Sequence, residues 1–188
     1  MQPSKQQFQI TSIQNEEHIS AARALFIAYT EWLNVDLTFQ DFASELQSLP
    51  GKYSPAHGGE LLLAYSADET KTPLGCVAVR PLPLQPDSPT HDQEVPQSQS
   101  ETQRRQRTCC EMKRLYVSPE ARGMGLGTAL TDAVVQKAKE LGYAEMRLDT
   151  LPHMAGAIQL YRRLGFVDIP PYYETPLEET VFLGLDLT

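Results

Sequence analysis

The spacing of hydrophobic residues changes abruptly in the second half of the chain, from a strand pattern to a helix pattern. Apolar residues from Met112 to Val117 predict a buried strand, which should stop near Pro119 because proline cannot donate to a sheet ladder. Apolar residues at steps of three and four then predict an amphipathic helix over 126–141, with Gly142 as a left-handed C-terminal cap. A strand, a turn and a helix are therefore expected at this point.

The same two spacings predict the elements on either side of this junction. Before it, we expect a strand near Phe8, a helix after the N-cap Asn15, a short helix after a capping box at Thr38 and Asp41, and an antiparallel strand pair over 60–66 and 74–80. After it, we expect a strand over 143–149, a helix that ends at Gly165, a short strand from Phe166 and a last strand over 180–187. This order predicts a mixed α/β fold with helices packed on a central sheet.

One segment matches neither pattern. Residues 83–107 contain one leucine, one valine and no aromatic residue, among many Gln, Ser, Pro and charged residues. Such a stretch cannot bury enough apolar area to offset the entropy of ordering it. We expect a disordered, low-complexity insert between two strands, within a single domain that spans residues 1–188.

Composition narrows the possible environments and partners. The net charge of −8 argues against nonspecific binding to nucleic acid, which needs a basic face. Cys76, Cys109 and Cys110 cannot all pair with one another, so we expect reduced, partly buried thiols. No apolar run approaches the roughly 20 residues that span a bilayer, and the N-terminus lacks a signal-peptide core. We expect a cytoplasmic protein with no membrane partner, nuclear access being left open.

Three glycines lie between the predicted central strand and the helix that follows it. Gly123, Gly125 and Gly127 leave backbone N–H groups accessible at the positive end of that helix, which suits a phosphate group. The loop is not a P-loop, because Thr128 follows Gly127 without the lysine that a P-loop needs. It is not the dinucleotide fingerprint either, because the third glycine of that motif would have to stand at Thr128.

Two segments in the same order resemble motifs of the GNAT superfamily of N-acetyltransferases. The first is Arg122-Gly123-Met124-Gly125-Leu126-Gly127, which follows the strand end Leu115-Tyr116-Val117. The second is the run from Ala157 to Phe166, in which a helix carries Tyr161 and ends at Gly-Phe. The resemblance implies the GNAT fold, with a mostly antiparallel central sheet, and acetyl-CoA as co-substrate. It also implies transfer of the acetyl group to a primary amine of a small molecule or peptide by direct attack.

The resemblance also implies roles for residues at the matching positions. The strand end would pair with the pantetheine arm of acetyl-CoA, the glycine loop would hold its pyrophosphate, and the Tyr161 hydroxyl would protonate the departing sulfur. The implied cofactor-binding residues are Leu115, Tyr116, Val117, Arg122, Gly123, Met124, Gly125, Leu126, Gly127, Thr128, Ala157 and Tyr161. One departure is that Thr150-Leu151-Pro152 stands where many members have an asparagine.

The attacking amine has to lose a proton, so a base is expected. A lysine-like amine has a pKa of about 10.4, and freeing its lone pair at neutral pH costs about 4 kcal/mol. Glu111, a carboxylate within the central strand, is the candidate base, and Asp149 is the second candidate. The alternative for Glu111 is a carboxylate held by Lys113 or Arg147 on the sheet edge.

The resemblance places the acceptor beside the first two helices, where Tyr29 and Trp32 could touch it, although both could instead form a packing face of the first helix. His57 has no second ligand residue at metal-binding spacing, so no metal site is expected. Two alternatives remain for the function: an acyl-carrying Cys109 or Cys110, and a non-catalytic CoA-binding or protein-interaction module. A monomer or a homodimer would suit either function.

Overall fold

The computed structural model describes residues 7–35, 41–82 and 109–188. These residues form one seven-stranded sheet with helices on both faces. The strands are β1 (Phe8–Ser12), β2 (Glu60–Ser66), β3 (Pro73–Leu82), β4 (Cys109–Val117), β5 (Glu145–Thr150), β6 (Val167–Asp168) and β7 (Val181–Asp186). The helices are α1 (Glu16–Leu33), α2 (Phe42–Ser48), α3 (Leu126–Glu140) and α4 (Ala155–Arg163). The predicted insert at 83–107 and Thr38 of the predicted capping box lie outside the described residues.

The order of elements along the chain is the predicted one, and the mixed α/β fold with a mostly antiparallel sheet is confirmed. The spatial order of the strands is β1-β2-β3-β4-β5-β7-β6. Every neighbouring pair is antiparallel except β4 and β5, which are parallel and joined through α3. A parallel pair requires such a crossover, and α3 packs on one face of the sheet against β2, β3 and β4.

Local signals place the start of α1 and the end of α3 where the sequence predicted them. Helix α2 begins later than expected, directly after Asp41, which makes no side-chain cap hydrogen bond. The Asn15 side chain accepts a hydrogen bond from the backbone N–H of His18 at 2.9 Å and so caps α1. Gly142 adopts a φ of 84° after α3. The backbone N–H of Tyr143 bonds the carbonyl of Ala138 at 3.1 Å. Because Tyr143 takes part in that helix cap, β5 begins two residues later than expected.

The sheet opens between its two central strands. β4 pairs with β5 only at Cys109, Cys110 and Glu111, opposite Glu145 to Arg147. Beyond those pairs β4 continues along β3, while β5 continues along β7. The last six residues of β4, from 112 to 117, therefore have no ladder partner on the β5 side.

A bulge in β4 changes which face of the sheet its side chains reach. Cys76 lies opposite Tyr116, but Ala78 lies opposite Lys113, so β4 carries one extra residue here. Arg114 takes up this extra residue with a φ of 58°, a left-handed conformation that non-glycine residues rarely adopt. Consequently, Tyr116 packs in the core beneath α1, whereas Leu115 packs against the core beneath α3.

A buried ion pair holds the bulge in place. Arg114 donates through Nε to Glu45 Oε1 at 2.8 Å and through a terminal nitrogen to Oε2 at 3.1 Å. Both residues are 5% exposed. Tyr53 also donates to Glu45 at 3.0 Å, and Lys52 lies 2.8 Å from its second oxygen. Since Glu45 belongs to α2, this short helix is tied directly to the bulge, with the aromatic ring of Phe42 5.3 Å from the Arg114 guanidinium.

Replacing Glu45 by glutamine should destabilise the protein markedly. The variant leaves the buried Arg114 charge without its carboxylate, and such a change costs about 3–5 kcal/mol. Glu140 on α3 provides a matched control, because its ion pair with Lys137 is half exposed and its Glu→Gln variant should cost under about 1 kcal/mol. Urea denaturation measures both. Equal, small losses in the two variants would show that the buried pair does not hold the fold.

The same carboxyl should make stability depend on pH. Burial by itself would raise the pKa of Glu45, but the hydrogen bonds and charge of Arg114 lower it from 4.5 to about 2. A carboxyl whose pKa is lower in the folded state stabilises the fold above its unfolded pKa. Its contribution should therefore be complete above about pH 4.5 and be lost toward pH 2. The stability gap between wild type and Glu45→Gln should narrow across that window, and a constant gap would contradict this.

Candidate active site

The opening between β4 and β5 continues into a surface cleft of about 580 Å³. Its walls are the end of β4, the glycine loop and the start of α4, with one side chain from α1. The lining residues are Trp32, Leu115, Tyr116, Val117, Ala121, Arg122, Gly123, Gly125, Leu126, Gly127, Thr128, His153, Met154, Ala155, Gly156, Ala157, Leu160 and Arg163. The cleft is thus long, lined by apolar side chains at β4 and by backbone at the loop.

The glycine loop presents its backbone to this cleft. Gly123 and Gly125 have φ values of 80° and 78°, and α3 begins directly after Gly125. A methyl group added to either glycine would meet no described atom within 4 Å. These glycines are therefore favoured by the backbone conformation and not by close neighbouring side chains. The N–H groups at the start of α3 carry partial positive charge, so the loop can hold an anion.

Most of the residues that the sequence singled out for the cofactor line one cleft. The two exceptions are Met124 and Tyr161. Met124 is half-buried and packs against the core beneath α3. Tyr161 lines a second, inner cavity.

The inner cavity has a volume of about 50 Å³ and adjoins the cleft, since Leu115 and Met154 line both. It lies where β4 and β5 diverge, beneath α1. Its lining residues are Tyr29, Leu33, Met112, Lys113, Arg114, Leu115, Leu148, Asp149, Thr150, Leu151, Met154, Tyr161 and Leu177. An elongated molecule in the cleft could therefore place one end in this cavity.

Two tyrosines, Tyr29 and Tyr161, line the inner cavity. Tyr161 is 6% exposed and packs against Phe166, with their ring centroids 5.7 Å apart. Burial raises the pKa of Tyr161 well above its ordinary value, and burial raises the pKa of Tyr29 to about 12. Both side chains are therefore protonated at neutral pH, and both can donate a hydrogen bond.

The carboxylate of the inner cavity is Asp149. Lys113 donates to its Oδ1 at 2.9 Å, and the same lysine lies 3.7 Å from Glu111 Oε1. Asp149 retains a side-chain exposure of 14%, whereas that of Glu111 is 1%. The candidate base and the second candidate are thus linked through one lysine, and Asp149 is the one that lines the cavity.

Glu111 lies behind the cavity wall with its oxygens already engaged. Arg80 lies 2.7 Å from Oε2, and the Tyr172 hydroxyl donates to Oε1 at 2.9 Å. The sequence had suggested Lys113 or Arg147 as alternative partners. Lys113 is the more distant contact, and Arg147 pairs with Glu145 at 2.8 Å instead. Which of Glu111 and Asp149 acts as the base stays a prediction.

The two aromatic residues proposed for the acceptor line different spaces. Tyr29 lines the inner cavity, whereas Trp32 lines the surface cleft. The Trp32 ring lies 4.7 Å from the guanidinium carbon of Arg122. One turn of α1 therefore contributes one side chain to each compartment.

Helix α4 and the residue before its N-cap contribute cleft residues that the sequence did not identify. His153 precedes α4 and lines the cleft, and Gly156 and Arg163 of α4 line it as well. The available signal was proximity to Ala157, the first residue of the second motif. The three cysteines are buried and unpaired. Burial raises the pKa of Cys109 to about 11, so it is a thiol at neutral pH and a poor nucleophile.

Within 7–35, 41–82 and 109–188, no group of three or more His, Cys, Asp or Glu side chains is placed to hold a metal ion. None of the helices in these ranges is both long and apolar enough to cross a bilayer.

Solved structures share this arrangement of strands and helices. An acetyltransferase of the GNAT family from Staphylococcus aureus superposes with a TM-score of 0.69 at 16% identity, covering 96% of this chain and 99% of its own. A Salmonella typhimurium protein solved with its cofactor acetyl-CoA superposes with a TM-score of 0.62 at 17% identity, covering 96% of this chain and 94% of its own. These likenesses show that the fold is the GNAT acyltransferase fold.

Sequence similarity assigns the chain to a family as well as to a fold. A family model described as the acetyltransferase (GNAT) family matches residues 26–166. An uncharacterized N-acetyltransferase of Schizosaccharomyces pombe is 35% identical over 188 residues, covering 100% of this chain and 99% of the relative. Another, from Dictyostelium discoideum, is 34% identical and covers 91% of this chain and 95% of its own length. The chain belongs to the GNAT acetyltransferase family.

Proposed function

We propose that this protein transfers an acetyl group from acetyl-CoA to a primary amine of a small molecule or peptide. The observation that carries the proposal is the continuity of the cleft with the inner cavity. A glycine loop suited to phosphate lies along the cleft, and a carboxylate with two protonated tyrosines lines the cavity beside it. The Salmonella typhimurium neighbour, solved with acetyl-CoA, supports acetyl-CoA as the co-substrate.

The cofactor would lie along the free side of β4. Residues 115–117 have no strand partner on the β5 side, so the amide groups of pantetheine can add to β4 as a further strand would. The diphosphate then reaches the N–H groups from Arg122 to Thr128. The thioester comes to the bulge at Arg114, where backbone donors can stabilise the oxyanion that develops on its carbonyl oxygen.

The inner cavity provides the base and the acid. Asp149 takes one proton from the incoming ammonium group, and the amine nitrogen, whose lone pair is then free, attacks the thioester carbonyl carbon. Glu111 holds Lys113, the lysine that orients Asp149. As the tetrahedral intermediate collapses, the carbon–sulfur bond breaks and Tyr161 gives its proton to the thiolate. The nitrogen gives up its second proton, which restores the Tyr161 hydroxyl and leaves the amide. No acyl-enzyme intermediate is needed, and the thiols of Cys109 and Cys110 take no part.

Release of free thiol from acetyl-CoA in the presence of a panel of primary amines tests the function. We expect amine-dependent thiol release together with one acetylated amine product. A protein that binds acetyl-CoA but releases no thiol with any amine would instead be a non-catalytic CoA-binding module.

Isothermal titration with acetyl-CoA tests the assignment of the glycine loop. Wild type should bind with a Kd in the micromolar range, and Gly125→Val should abolish measurable binding, because a branched side chain is strained at a φ of 78° and stands in the anion's path. Gly142→Val provides the control: its φ of 84° imposes the same backbone strain at a position remote from the cleft. Equal acetyl-CoA affinity in all three proteins would show that the glycine loop does not bind the cofactor.

Tyr161→Phe should lower kcat by about 100-fold or more and leave the Kd of acetyl-CoA nearly unchanged, because only the proton donor is removed. Tyr143→Phe is the matched control, since that hydroxyl donates to the Gly58 carbonyl at 2.6 Å, outside the cavity. Steady-state kinetics and calorimetry measure the two quantities. Parallel loss of binding and rate in Tyr161→Phe would point to a packing role.

Asp149→Asn should also lower kcat by about 100-fold, since the proton acceptor is lost while the size of the side chain is kept. Glu111→Gln should lower kcat much less, because it acts through Lys113. Circular dichroism checks that both variants are folded. A greater loss in Glu111→Gln than in Asp149→Asn would assign the base to Glu111.

A further inference from the structure

Trp32 occupies an unusual place for an aromatic residue of the acceptor-side helix. It lies in the last turn of α1, is 45% exposed and lines the cofactor cleft. Its ring lies 4.7 Å from the guanidinium carbon of Arg122 and 6.3 Å from the ring of Tyr116. An exposed indole leaves more apolar surface in water than a small side chain would, which is unfavourable. Its contact with Arg122 is therefore a candidate for a functional role.

Arg122 is held by two contacts at once. Its Nε donates to the carbonyl of Val117, the last residue of β4, at 3.2 Å. Its planar guanidinium lies against the indole ring, where cation–π attraction restricts it further. An exposed arginine without such contacts samples many rotamers and loses that freedom when it binds an anion. The two contacts therefore keep the charge over the cleft before any ligand arrives.

We propose that Trp32 is a positioning residue for cofactor binding: it holds Arg122 in place to meet the diphosphate of acetyl-CoA. This inference rests on the proposed function, because it takes acetyl-CoA as the ligand of the cleft. Trp32 does not line the inner cavity, where the amine reacts, so its effect belongs to the cofactor and not to the acceptor. The role also makes α1 a support for the glycine loop.

The proposal predicts an effect that depends on both Arg122 and the diphosphate. Trp32→Leu should raise the Kd and the KM for acetyl-CoA about fivefold, the size expected for losing one exposed cation–π contact, with kcat unchanged. Trp32→Phe should restore most of the affinity, because a phenyl ring keeps a face for the guanidinium. Ile27→Leu on the same helix serves as the control; Ile27 is 40% exposed and does not line the cleft.

Two comparisons separate positioning from ordinary contact with the ligand. The first uses S-acetylpantetheine, which keeps the thioester and the pantetheine arm but lacks the diphosphate and the nucleotide. Its KM should be the same in wild type and in Trp32→Leu. The second places Trp32→Leu in an Arg122→Gln background, where it should cause no further loss of acetyl-CoA affinity, because the group that it positions is already gone.

Several outcomes would overturn the inference while leaving the proposed function standing. One is an equal rise in KM for acetyl-CoA and S-acetylpantetheine in Trp32→Leu; another is an undiminished effect of this variant in the Arg122→Gln background. Either result would make Trp32 a direct ligand contact. An unchanged Kd for acetyl-CoA in Trp32→Leu would leave it without a role in binding. Failure of wild type to bind acetyl-CoA at all would contradict the proposed function and this inference together.

Discussion

A buried ion pair holds the residue at which the central strand changes face. Arg114 adopts a left-handed backbone conformation that costs free energy for a residue with a side chain, and its charge is removed from water. Glu45 offsets both costs because it accepts two hydrogen bonds from the guanidinium. Tyr53 and Lys52 donate further hydrogen bonds to the same carboxylate. Helix α2, the bulge and the wall of the inner cavity are therefore fixed relative to one another by one cluster of charges.

The site follows from that bulge and from the divergence of the two central strands. After Glu111 the ladder between β4 and β5 ends, and the backbone of β4 is left for a ligand. The glycine loop continues from the end of β4 into α3, so an extended molecule that follows the strand reaches the glycine loop. In the other direction it reaches the bulge, where Asp149 and Tyr161 line the inner cavity. In the proposed function, one strand thus sets the positions of the cofactor and of the reacting groups together.

Local signals made much of this predictable. The glycine loop, the helix that follows it and the N-cap Asn15 depend on residues a few positions apart, so the sequence alone identified them. The contacts that shape the inner site join distant segments: Glu45 and Arg114 are separated by 69 positions, and Glu111 and Tyr172 by 61. Hydrophobic spacing does not report such pairs. Nor does it show that one turn of α1 directs Tyr29 to one compartment and Trp32 to the other.

Amide hydrogen exchange with and without acetyl-CoA would test the central claim most directly. If the cofactor adds to the free side of β4 and rests its phosphates on the loop, protection should rise at residues 115–117 and 122–128, and at the start of α4. The outer strands β1 and β2 should exchange as before. Protection confined to regions outside the opening between β4 and β5, or no change on adding saturating acetyl-CoA, would contradict this account of the site.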